Sequence, residues 1–165
     1  MRTVWFVILA FAAAVLDASA VPEAEILGTR PDLLVLVVVY GGLVLGARPA
    51  TLAGFALGLV ADTELPEYLG LHALALSTVG YVTAAVWDRL VRANVLVQCA
   101  VLFGATLLHD VIYYLVYYRN HMDMFGRFIV RFGLSGALYT AVLGVLVYAV
   151  ARAAGWRGIA DGTHA

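Results

Sequence analysis

The chain has 165 residues, 64% of them hydrophobic and 13% charged, and a formal net charge of -1. A globular domain has roughly a quarter of its residues charged, so this composition, with a mean hydropathy of +0.94, excludes a soluble core and points to an integral membrane protein. The balanced charge and the lack of a basic aromatic groove exclude a nucleic-acid partner, and the single cysteine, Cys99, excludes an internal disulfide or a CxxC metal site.

Crossing the hydrocarbon takes roughly 20 apolar residues, and lipid cannot satisfy an open backbone, so the spans must be helices. The apolar runs predict helices over residues 3–21, 33–47, 50–65, 71–87, 93–118 and 128–152. The fold class is therefore all-α: a polytopic transmembrane bundle of about six helices, one domain over residues 1–165, with five or fewer crossings as the fallback. The second and third helices are short. They cross thin or untilted, or fold back as a hairpin at Arg48-Pro49, where proline breaks the pattern. Cys99, inside the fifth apolar run, reads as a small packing residue.

All ten cationic residues are arginines. With the N-terminus inside, Arg2, Arg48, Arg89, Arg92, Arg152 and Arg157 are cytoplasmic and Arg30, Arg119, Arg127 and Arg131 are outside. Trp5, Trp87 and Trp156 then lie at the inner interface, and both termini are cytoplasmic. A competing reading of the first helix is a secretory signal, since Arg2, an apolar run and Ala18-Ser19-Ala20 supply its three parts. Asp17 and the odd helix count left by cleavage argue against it.

Small residues at steps of four allow close helix approach in lipid. Ala10, Ala14 and Ala18 form one such stripe, Gly42 with Gly46 another, and Gly54 with Gly58 a third. Each is read either as bundle packing or as a docking face for a partner helix. Asp62 stands one further step of four after Gly58, so a carboxylate ends that glycine face.

A charge at mid-membrane costs about 2.5–3.5 kcal/mol on an insertion scale. Asp17, Asp62, His72, Arg127 and Arg131 avoid that cost at outer helix ends, where they snorkel and cap, or where Asp17 or Asp62 pairs with Arg127 or Arg131. His109 and Asp110 lie inside the fifth span. Helical spacing puts His109, Tyr113 and Tyr117 on one stripe and Asp110, Tyr114 and Tyr118 on another, a polar outer half that reads as a cavity or as a contact fixing helix order. No enzyme constellation is found: there is no HExxH or GxSxG, and no carboxylates pair within one helical turn. His72, His109, His121 and His164 are scattered over four regions, so neither a metal nor a cofactor is expected.

Three segments together resemble the MreD family, rod shape-determining membrane proteins of bacterial wall elongation. They are Pro31-Asp32 opening a Leu/Val helix; Gly54, Gly58 and Asp62 as Gly-x-x-x-Gly-x-x-x-Asp; and Leu69-Gly70-Leu71-His72-Ala73, with Gly80-Tyr81 after it. The loop TELPEY at 63–68 departs from the family in its acidity. The resemblance implies a non-catalytic scaffold in the bacterial cytoplasmic membrane. It would pair with MreC and act beside MreB, RodA and a class B penicillin-binding protein. A homo-oligomer is a further alternative.

The rival reading is the substrate-binding S component of an energy-coupling-factor vitamin transporter, which the MreD family looks like in size and six-helix layout. Ala10, Ala14 and Ala18 would grip a coupling subunit. His109, Asp110, Tyr113, Tyr117, Arg127 and Arg131 would line an outer ligand cavity. The Asp62 and Gly70-Leu71-His72 signature favours the scaffold.

Overall fold

The computed structural model describes residues 12–13, 31–63, 66–87 and 95–153. The predicted first helix lies outside the described residues except for Ala12 and Ala13, which are helical.

Helix α1 (Leu33–Leu45) starts where Asp32 caps it: Oδ1 accepts from the Val35 amide at 2.8 Å, satisfying one of the amides that a helix start leaves open. Its sequence is apolar all round, and Leu34, Val35, Leu36, Val38 and Val39 are buried on every side of it. A helix of that kind belongs at the centre of a bundle. There it packs with Leu57, Leu76, Val79, Leu102, Ala105 and Ala141 from the surrounding helices, and Cys99 is partly buried against the same core.

The chain reverses at Gly46, whose φ of 88° favours glycine, and α2 (Ala47–Asp62) follows at once. The break expected at Arg48-Pro49 is therefore corrected. Pro49 sits in the first turn of α2, where its missing N–H would have had no intrahelical acceptor. Helix α2 also ends at Asp62 rather than at residue 65, and Pro66–Tyr68 forms a 3-10 turn. Gly70, φ 98°, leads into α3 (Leu71–Trp87).

Helix α4 (Val95–Tyr117) matches the fifth predicted span. The last helical stretch begins earlier than residue 128. It comprises α5 (Met122–Phe128), a π-helical segment (Ile129–Gly133) and α6 (Leu134–Ala153). Gly144 brings α6 close to α4 and α1, for a Cβ there would meet Leu102 and Leu36 side chains at 2.5 and 2.7 Å. The Tyr40 hydroxyl donates to the Gly144 carbonyl at 2.6 Å.

Among the described residues two stretches are long and apolar enough to cross a bilayer, Val95–Tyr117 and Met122–Val150, of 23 and 29 residues. At about 1.5 Å per residue each exceeds a hydrocarbon core of about 30 Å. Helices α1, α2 and α3, of 13, 16 and 17 residues, are shorter. The outer faces of the bundle are apolar: Leu52, Val60, Leu74, Leu96, Leu138, Leu146 and Val150 are each more than half exposed. So much exposed apolar surface suits lipid rather than water.

Candidate functional site

Of the polar residues singled out in the sequence, Asp62, His72, His109 and Asp110 come together in two adjoining groups. The first is built on Asp62, whose side chain is 1% exposed. Its Oδ2 accepts from the amides of Gly70 at 2.8 Å and Ala73 at 3.3 Å, and its Oδ1 from the amide of His72 at 3.0 Å. His72 Nδ1 lies 3.0 Å from the same Oδ1. The last residue of α2 thus supplies the N-terminal cap of α3, placing a negative charge where the helix dipole favours it. The expected pairing of Asp62 with Arg127 or Arg131 is corrected. Its partners are His72 and backbone amides, and both arginines are exposed, with Arg131 Cζ 5.6 Å from the Phe132 ring centroid.

The glycines before Asp62 explain how the cap reaches its target. A Cβ at Gly54 would stand 2.5 Å from the Leu76 carbonyl oxygen, and one at Gly58 would overlap the Ala73 backbone and lie 2.5 Å from the His72 carbonyl carbon. From the other side, a Cβ at Gly80 would stand 2.7 Å from the Ala50 oxygen. Helices α2 and α3 therefore touch backbone to backbone along their length. This corrects the reading of the Gly54/Gly58 face as a docking surface for a partner, since α3 of the same chain already covers it. Ala10, Ala14 and Ala18 lie outside the described residues.

The second group is built on His109, buried in α4. Its Nδ1 is 3.3 Å from Asp32 Oδ2 and 3.3 Å from Asp110 Oδ1. Asp32 is fixed in turn, with its Oδ1 on the Val35 amide and its own amide donating to Thr140 Oγ1 at 2.9 Å. The two stripes read from helical spacing are both present. His109, Tyr113 and Tyr117 stack at ring separations of 6.2 and 5.9 Å, and Tyr114 stacks on Tyr118 at 6.0 Å. His72 joins the groups, its ring centroid 4.4 Å from Tyr113 and 5.9 Å from His109. Tyr68, from the turn before α3, packs on Tyr117 at 4.9 Å. In this region the rings rest on one another, and Arg127 and Arg131 do not point their charges into the Asp32–His109–Asp110 group: among the described residues the ion pairs of these carboxylates run to His109.

Sequence spacing could not place Asp32 beside His109, because nothing local links the start of α1 to the middle of α4. Pro31-Asp32 was visible only as a helix opening. A separate groove of about 420 Å³ between α3 and α4 is lined by Val82, Val86, Val97, Val101, Gly104 and neighbouring residues, and is almost wholly apolar.

A model of the family described as rod shape-determining protein MreD matches residues 1–153. No curated protein and no solved structure matches the chain.

Proposed function

Because the chain belongs to the MreD family, and so has a role in rod shape determination, we propose that it is a non-catalytic membrane scaffold of the wall-elongation complex. In this reading it binds MreC directly and holds MreB, RodA and a class B penicillin-binding protein in a larger assembly. The bundle is a single domain of about six helices in the cytoplasmic membrane, multi-pass, with both termini cytoplasmic.

The observation that carries the reading is the use made of the polar residues. Asp62 holds three backbone amides and a histidine of its own chain, and the rings of His72, Tyr113 and Tyr117 pack against each other. A charge near the membrane is costly unless it is paired or hydrogen-bonded. Here the groups that offset that cost for Asp62 lie on the next helix and fix one helix against the other. With the Gly54/Gly58 face closed by α3, a partner helix is left the apolar exterior and the Ala10/Ala14/Ala18 stripe. The S-component reading would need an open, polar outer pocket; the contacts of the His72, Tyr113 and Tyr117 rings with one another support the scaffold reading instead.

Depletion of the protein from its native cell tests the proposal. Rods should round up, and labelled MreC should lose its localisation along the cell wall. Cells that keep rod shape and MreC placement would contradict it.

A further inference from the structure

We propose that Asp32, His109 and Asp110 form a binding site for a divalent transition-metal cation, of which Zn²⁺ is the best match. One ligand atom from each residue lies within 4.8 Å of the others. His109 Nδ1 stands 3.3 Å from a carboxylate oxygen on either side. Zinc bonds to imidazole nitrogen and carboxylate oxygen of about 2.1 Å set the edge of a tetrahedron at about 3.4 Å, so both nitrogen-to-oxygen separations, which without a metal are a hydrogen bond and an ion pair, match such an edge. A nitrogen with two oxygens suits zinc better than the thiolate-seeking or all-oxygen cations.

Charge supports the same assignment. Two carboxylates beside one imidazole would present a divalent cation with two anionic donors inside a bundle where unbalanced charge is expensive. Among the described residues no arginine lies within ion-pair distance of Asp32 or Asp110.

One of the donors, Asp32, is also held in position by other groups, as metal ligands usually are. Asp32 spends Oδ1 on the Val35 amide and is anchored through its own amide to the buried Thr140, which leaves Oδ2 to face His109. Asp110 Oδ2 lies 3.5 Å from the point where a Cβ on Gly133 would stand. Gly133 ends the π-helical segment, and π-helical turns within α-helices are often found at functional sites. The site would join the start of α1 to the middle of α4, beside the Asp62–His72 cap.

Zinc uptake by the full chain tests the proposal. The protein is purified in mild detergent with a tag free of histidine, stripped with a chelator, and dialysed against Zn²⁺ before elemental analysis. The site predicts about one zinc per chain, bound at least roughly tenfold more weakly by His109→Gln and Asp110→Asn. His121→Ala, which removes an exposed histidine, should bind like the wild type. A wild-type chain that takes up no zinc overturns the proposal, and that result needs no variant to fold. Equal binding by wild type and the two site variants, or binding lost in His121→Ala, overturns it as well.

Discussion

Asp62 and His72 are joined twice, for Oδ1 of Asp62 accepts the His72 backbone amide at 3.0 Å and lies 3.0 Å from the His72 ring nitrogen. With the amides of Gly70 and Ala73 on Oδ2, one buried carboxylate closes the α2–α3 hairpin. Replacement by alanine would strand three amides at a helix start, at a cost of about 2–3 kcal/mol. Asp62→Asn keeps one acceptor oxygen and should fall between Asp62→Ala and wild type. Thermal unfolding of the detergent-solubilised chain checks the order.

The glycine face gives a paired prediction. Gly58→Ala drives a methyl into the Ala73 backbone, where no flexible side chain can yield, and should destabilise by about 3 kcal/mol. Gly104→Ala meets nothing within 4 Å and should be neutral or stabilise by up to about 1 kcal/mol through helix propensity. Comparing the two unfolding midpoints separates packing from propensity.

Much of this hairpin could be read before the structure. The i, i+4 spacing of Gly54, Gly58 and Asp62 puts all three on one face, and α3 runs over the predicted residues 71–87. What that face meets could not be read, because small-residue stripes look alike whether they pack against a helix of the same chain or of another. The reversal at Gly46 was hidden for a different reason. Pro49 is a stronger sequence signal than a lone glycine, yet proline is tolerated in a first helical turn. The π-helical segment at Ile129–Gly133 leaves no mark on apolar periodicity over so few residues. Asp32 and His109 meet only through the tertiary arrangement of α1 and α4.

Gly70 isolates a backbone effect. Its φ of 98° is one that L side chains rarely adopt, and a Cβ there would meet nothing within 4 Å. Gly70→Ala should therefore cost about 1–2 kcal/mol from conformation alone, with α3 capped less well because the Gly70 amide is one of the Asp62 donors. A lower unfolding midpoint with unchanged membrane insertion would agree with this.

Copurification tests the central claim most directly. Tagged protein is extracted from its native membrane in mild detergent, and both the proteins and the small molecules that accompany it are identified by mass spectrometry. The scaffold account predicts MreC together with wall synthases and no stoichiometric organic ligand. An ATPase pair, a coupling subunit or a bound vitamin would contradict it and make the His109 region a transport site.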